Sequence, residues 1–356
     1  MQRRQFIHLS SLAAAVAVLP GCAAVANLTT GPLIERHLPK DYSGVVAVRK
    51  DARSTLVTHA GGLALREEKQ PVTKDTRFLI GSITKWISAV TVLRLADMGT
   101  LDLDAPIARH LPELPAANGA VTLRQLMSNR SGIPNGLLEA LKKDRAAVEK
   151  LEIGPVEAAL RFGTGTPTSS PGERWDYSYT NWILVAAVVE RARKEPFTET
   201  VEELVLAPSG VRDTSFAATG YEDEVGMAVA YNEAGLRKTS PVPPMIVASG
   251  TMYSTASDLV KIADTVYFTK LLSDKARKEL STVVVPSEDY ALGGKVKTIA
   301  TKEGARTLAW EAGAIGAYKS LLAYDPADGR VVVLLNNTDM PQSEQARIAV
   351  ALFQDM

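Results

Sequence analysis

The chain has 356 residues, of which 46% are hydrophobic and 22% charged, with 25 glycines and 19 prolines. That composition excludes disorder, collagen-like repeats and coiled coil as the main state, and the length suffices to bury a large core that divides into more than one substructure. Forty basic residues balance forty acidic ones, with no basic stripe to meet a phosphate backbone, so nucleic acid is excluded as a partner.

Met1-Gln2-Arg3-Arg4-Gln5-Phe6-Ile7 opens the chain, and an apolar run from Leu9 to Leu19 follows. A basic start before a short apolar segment is the pattern of an export signal, too short for a spanning helix. Arg3 and Arg4 with Phe6 resemble a twin-arginine signal. Leu19-Pro20-Gly21-Cys22 then has the form of a bacterial lipoprotein cleavage site, with Cys22 as the lipidated residue. The alternative is a plain secretory leader with an incidental cysteine. The expectation is an export signal over 1–21, a linker over 22–40, and an exported product, periplasmic or held at a membrane by its lipidated N-terminus. Cys22 is the single cysteine, which excludes an intramolecular disulfide and a cysteine metal site. His8, His37, His59 and His110 are scattered, so no metal site is expected, nor any other cofactor.

Gly44-Val45-Val46-Ala47-Val48 predicts a buried strand, with Thr55 to Thr58 as its hairpin partner across Lys50-Asp51-Ala52-Arg53. Ser82 to Met98 predicts a helix that Gly99 stops. It is apolar on most faces, so it belongs between layers. Helical patterns follow over Leu123–Asn129, Pro155–Phe162, Trp182–Arg193 and Phe197–Leu206, separated by loops rich in Gly, Pro, Ser and Thr. Thr255 and Asp258 are spaced as a capping box at another helix start. Lys319–Tyr324 and Val331–Asn336 predict strands joined by the turn Asp325-Pro326-Ala327-Asp328-Gly329, and Ser343–Phe353 a closing helix. Strands at both ends with helices between them predict an α+β fold: an antiparallel sheet formed by both chain ends, flanked by helices, with an inserted, mostly helical subdomain. The main domain is expected over 41–352, its α/β part about 41–85 and 245–352 and its helical part about 86–244.

Gly81-Ser82-Ile83-Thr84-Lys85 opens the apolar helix. Ser82 and Lys85 share a helix face, so a lysine amine reaches the serine hydroxyl. A serine hydroxyl is a weak nucleophile until a neighbour removes its proton, and a desolvated lysine can do that. The helix N-terminus favours negative charge forming near Ser82. No Gly-x-Ser-x-Gly and no His-Glu-x-x-His occurs, so an α/β-hydrolase or zinc-protease reading lacks support.

Phe78 to Lys85, Gly99-Thr100-Leu101-Asp102-Leu103-Asp104-Ala105-Pro106, Val121 to Pro134, and Ala248-Ser249-Gly250 through Asp258-Leu259 together resemble the serine β-lactamase and penicillin-binding-protein superfamily. The likeness is to its class C-like branch with related esterases and D-peptidases, and it runs from about Tyr42 to Leu352. It implies the β-lactamase/transpeptidase-like fold and a cofactor-free hydrolysis of a small ester or amide through an acyl-enzyme. Carried onto this chain, it implies Ser82 as nucleophile, Lys85 as its base and Tyr177 as the proton relay. Ser82 and Ala314 would offer the oxyanion amides. The family's Tyr-x-Asn has Tyr179 where the asparagine should stand; the register Tyr179-Thr180-Asn181 restores the motif but breaks the spacing from Pro171-Gly172. The family's third motif, usually Lys or His, any residue, then Gly, aligns with Glu311-Ala312-Gly313. If Glu311 faces the site, it repels a substrate carboxylate and favours neutral esters; otherwise the motif is merely decayed.

Trp175, Tyr177, Tyr179, Trp310 and Tyr318 stand near these motifs, to line an apolar acyl pocket or to fill core. The substrate-binding expectation is therefore Tyr179, Asn181, Trp310, Glu311 and Gly313. A carboxylesterase is the first functional expectation. A β-lactamase, DD-peptidase or D-aminopeptidase is the second, and a non-catalytic lipoprotein binding cell-wall fragments is a third of another class.

Overall fold

A strand with apolar side chains on both faces needs two cores, and the ends of this chain supply two. The computed structural model describes residues 30–356; the export signal expected over 1–21 and the lipidation expected at Cys22 lie outside the described residues. In β1 (Gly44–Arg49), Val45 and Ala47 enter a large core while Val46 and Val48 enter a smaller one on the opposite face. β11 (Val331–Asn336) splits the same way, with Val331, Val333 and Leu335 on one side and Val332 and Leu334 on the other. Alternate residues of a strand face opposite ways, so a continuous apolar run is what a doubly covered strand requires.

The two strands pair antiparallel, Gly44 opposite Asn336, so the chain ends do share one sheet. Its order is β2-β1-β11-β10-β9-β8, with β2 (Val57–Gly61), β8 (Lys295–Thr301), β9 (Gly304–Ile315) and β10 (Tyr318–Tyr324) all antiparallel to their neighbours. The partner of β1 thus begins two residues later than Thr55 and extends past Thr58. β8 carries no sequence expectation because it is a polar edge strand, Lys295-Val296-Lys297-Thr298-Ile299-Ala300-Thr301, without a fully buried position; charge along an edge blocks further pairing. Smaller strands, β3 (Leu63–Leu65) with β4 (Gln70–Pro71), and β5 (Phe78–Leu79) with β6 (Ser215–Phe216) and β7 (Met252–Ser254), complete the set.

The helix Ile83–Asp97 lies between the sheet's inner face and the helical part, with 12 of its 15 residues buried. Gly99 ends it with a φ of +73°, as expected. The central helix Tyr179–Arg193 starts three residues before the expected Trp182, and the pattern over 197–206 divides into Phe197–Val201 and a π-helical turn Glu202–Leu206. The segment expected to be linker is helical over residues 30–37, where Leu33 and Ile34 pack with the closing helix Gln342–Asp355 on the sheet's outer face.

The capping box expected at Thr255 and Asp258 is only half made. The Thr255 hydroxyl accepts the Asp258 amide at 3.1 Å, but the Asp258 carboxylate turns to the amides of Arg212 and Asp213. A reciprocal box stands instead at Thr122 and Gln125, at the start of helix Leu123–Met127. Among the described residues no helix is long and apolar enough to cross a membrane.

Candidate active site

β5 runs straight into the buried helix, and Ser82 is the residue at the junction. Gly81 takes a φ of +50° to make that turn, a backbone that non-glycine residues adopt only with strain. The first hydrogen-bonded turns use the amides of Ile83, Thr84 and Lys85, and among the described residues the Ser82 amide has no backbone acceptor. An unspent amide at a helix start is suited to hold a negative charge.

Lys85, one turn on, is only 1% exposed. Its Nζ donates to Ser82 Oγ at 3.1 Å and to the Ser249 carbonyl at 2.6 Å. A buried amine needs such partners, since losing water without them is costly. Ser88, one turn further, fastens the same segment by donating to the Ala248 carbonyl at 2.9 Å. Tyr177 Oη donates to Ser82 Oγ at 2.8 Å. The hydroxyl expected to be nucleophilic, the amine and one phenol thus converge on a single oxygen.

Of the two candidate tyrosines, Tyr177 is the one in contact with the serine. Tyr177 precedes the central helix, while Tyr179 is that helix's first residue. Tyr179 is 38% exposed, and Lys85 Nζ lies 5.7 Å from its ring centroid against 5.0 Å for Tyr177. Burial and the adjacent Tyr177 phenol push the Tyr179 hydroxyl above its ordinary value. Tyr179 lines a cleft beside Ser82. Asn181, expected to bind substrate, does not reach the site: it is buried, accepting from Ser131 Oγ at 2.7 Å and donating to Asn129 Oδ1 at 3.3 Å. As the third residue of the central helix it points away from its first, because successive helical side chains fan around the axis.

Strand alternation places the third motif. In β9, Leu308 and Trp310 join the outer core and Ala309 the inner one, so Glu311 and Gly313 face inward. Gly313 fits its expected place: a Cβ there would lie 2.0 Å from the Ile80 carbonyl oxygen, so only glycine lets β9 approach β5. A Cβ on Gly81 would come within 2.7 Å of the Ala314 nitrogen, which sets the Ala314 amide beside the Ser82 turn. Trp310, expected to touch substrate, is instead core on the far face of the sheet, with Lys297 Nζ 4.9 Å above its ring. Glu311 is not among the residues that line the cleft beside Ser82. It is 4% exposed, packed against Gly294, and among the described residues has no ion-pair partner. Burial alone pushes its carboxyl well above the ordinary 4.5. The condition on which Glu311 would repel a substrate carboxylate, that it face the cleft, is not met by the residues that line it.

The aromatic residues do not form one pocket. Tyr318 is core and donates to the Ala228 carbonyl at 2.6 Å. Trp175 packs between Tyr177 and Tyr290 at centroid distances of 6.1 and 6.0 Å. The cleft beside Ser82, about 320 Å³, is walled instead by Leu137, Leu138, Leu141 and Val148 on one side and Pro243, Met245 and Ile246 on another, with Ala314 near Ser82. Sequence reading missed these walls, and also Ser249 and Asn129. Asn129, at a φ of +55°, ties down the tyrosine loop by accepting the Asp176 amide on its backbone and the Ser178 amide on its side chain. The quoted segments Val121 to Pro134 and Ala248-Ser249-Gly250 contained both residues, but a backbone carbonyl that holds an amine leaves no trace in residue type.

The family model described as Beta-lactamase matches residues 34–355. Esterase EstB of Burkholderia gladioli is 31% identical over 341 residues, covering 83% of this chain and 86% of its own. Among solved structures, a penicillin binding protein from Bacillus halodurans superposes with a TM-score of 0.76 at 24% identity, over 91% of this chain and 99% of that one. A D-amino acid amidase from Ochrobactrum anthropi gives 0.73 at 22% identity, over 91% and 98%. At these identities the structural likenesses establish the fold.

Proposed function

This chain belongs to the beta-lactamase family, and from that premise we propose that it is a carboxylesterase working through an acyl-enzyme on Ser82. The observation that carries the reading is the convergence of Lys85 Nζ and Tyr177 Oη on Ser82 Oγ at the mouth of an apolar cleft. In the reactive form Lys85 is a neutral amine. Ser82 Oγ bonds to the ester carbonyl carbon while its proton passes to Lys85 Nζ. The carbonyl oxygen takes up negative charge between the amides of Ser82 and Ala314. The bond to the alcohol oxygen then breaks, Tyr177 gives that oxygen its proton, and Lys85 restores the phenol. Water reverses the sequence, bonding to the acyl carbon, returning a proton to Ser82 and releasing the acid.

Three features favour an ester over an amide. Tyr179 stands where the family's amide-binding asparagine is expected. No cation occupies the third motif, where a buried Glu311 stands instead. The relative at 31% identity is an esterase. The charged residues of the cleft, Arg145 and Glu149, neutralise each other at 3.0 Å. A β-lactamase, DD-peptidase or D-aminopeptidase is the second reading, supported by the penicillin-binding and amidase likenesses.

The test is a comparison of a short-chain nitrophenyl ester, a chromogenic cephalosporin and a D-alanyl amide. It is paired with fluorophosphonate labelling of the native protein and of Ser82→Ala. Labelling lost in the alanine variant, with ester turnover foremost, is the expected result; cephalosporin turnover far above ester turnover would reverse the order. For location, we infer an exported lipoprotein from Arg3, Arg4 and the single Cys22 after Leu19-Pro20-Gly21. Cys22→Ala should shift the protein from the membrane to the soluble fraction, and an unchanged distribution would exclude lipid anchoring there.

A further inference from the structure

A substrate ester has two halves, and the geometry points to which one the cleft receives. Tyr177 touches Ser82 Oγ but is not among the residues lining the cleft. Resting on the esterase reading, we propose that the cleft is the acyl half of the site, selective for apolar acids of about six to eight carbons, while the alcohol half lies open on the Tyr177 side.

The sidedness follows from the proton. A leaving alkoxide must depart within reach of the group that protonates it, and that group is Tyr177. The acyl chain, on the opposite side of the carbonyl carbon, is then directed into the cleft. The chemistry of the walls follows from local sequence. Leu137, Leu138 and Leu141 present one face of helix Gly136–Lys143, and Val148 continues that wall from the next helical turn. Met245 and Ile246 face them from the segment that leads to Ser249. Apolar walls attract apolar chains in proportion to the surface removed from water. Arg145 and Glu149, closed on each other, leave no net charge to recognise an ionic acid. The cleft's 320 Å³ holds on the order of ten heavy atoms. The ester group takes about three of those places, which sets the chain length.

The experiment varies one half of the ester at a time. With p-nitrophenol as the constant leaving group, kcat/KM should rise more than about tenfold from acetate to hexanoate, since each buried methylene is worth up to about fourfold, and fall again by dodecanoate. With hexanoate constant, a series of alcohols of different size but similar leaving ability should vary much less. Leu141→Trp should cancel the rise, cutting the hexanoate-to-acetate ratio about tenfold, and Leu138→Trp provides the same reading if the first variant does not fold. A flat acyl series with brisk ester turnover overturns the acyl assignment and leaves the esterase reading standing. Absent ester turnover with active D-alanyl amide hydrolysis overturns the esterase reading instead, and the matching p-nitroanilide series then reads the same walls.

Discussion

Two tyrosines two residues apart have opposite fates, and a single hydrogen bond separates them. Tyr177 donates to Ser82 Oγ at 2.8 Å, whereas Tyr179 opens a helix and lies along the cleft. Tyr177→Phe should therefore lower kcat by about 10²- to 10⁴-fold, the usual worth of a positioned proton donor. Tyr179→Phe should change kcat by less than about tenfold, and equal losses in the two variants would remove the distinction. Glu311 makes a separate prediction. Its folded carboxyl titrates well above the ordinary 4.5 because it is buried without a counter-charge, so the fold holds a proton that the unfolded chain releases. Stability from this group is greatest below about pH 4.5 and falls as pH rises toward the raised folded value, by up to about 1.4 kcal/mol per pH unit. Glu311→Gln keeps the shape and removes the ionisation. The melting temperatures of the two proteins should converge near pH 4 and separate by pH 8, with the glutamine variant higher; parallel curves would refute this.

At the scale of elements, the site is a meeting of four chain segments: the loop before the central helix brings Tyr177, and backbone contacts place the other three. β5 delivers Ser82, the β9 end delivers the Ala314 amide, and the 248–250 segment delivers the carbonyl that holds Lys85. The closest of these approaches is Gly313 over Ile80, where Ser320 Oγ also donates to the Ile80 carbonyl at 2.7 Å. Gly313→Ala would place a methyl 2.0 Å from that carbonyl oxygen. The strand must move off β5, carrying the Ala314 amide away from Ser82. Loss of an oxyanion donor costs about 10²- to 10³-fold in kcat, so a folded Gly313→Ala protein, checked by circular dichroism, should lose at least about a hundredfold. Wild-type turnover in that variant would show that Ala314 plays no part. Some helices were legible in residue pattern, such as the buried helix at Ser82 and the capped start at Thr255, which follow from apolar spacing and short polar side chains; the helix Gly136–Lys143 was not. Nor was the edge strand β8, because a short segment with two Lys and two Thr and no fully buried position matches an exposed loop as well as a strand.

The whole molecule folds around a large core that ignores the division between sheet and helical part. Val45 and Val333 of the sheet share it with Ile87 of the buried helix and with Val185 and Leu206 of the helical part. Neither part can keep its apolar face covered without the other. Thermal unfolding should accordingly be a single transition, with tryptophan fluorescence and far-ultraviolet circular dichroism coincident; a separate melting of residues 86–244 would contradict this. The pairing of β1 with β11 closes the same unit from both ends.

Residue type and spacing alone determined the strands at the two chain ends, the buried helix, and the Ser82–Lys85 pair, because each rests on local pattern or on contacts between near neighbours; the pairing of β1 with β11 itself is a tertiary contact. The same reading went astray at Asn181 and Trp310 and left the place of Glu311 open. Which face a residue near the end of a long strand presents, and where the third position of a helix points, depend on what packs opposite. Tertiary contacts alone decided that Tyr177 rather than Tyr179 meets the serine, that the Ser249 carbonyl holds the lysine, and that Leu137, Leu138 and Leu141 wall the cleft. Those contacts join segments tens to more than a hundred residues apart, and no local preference encodes such a distance.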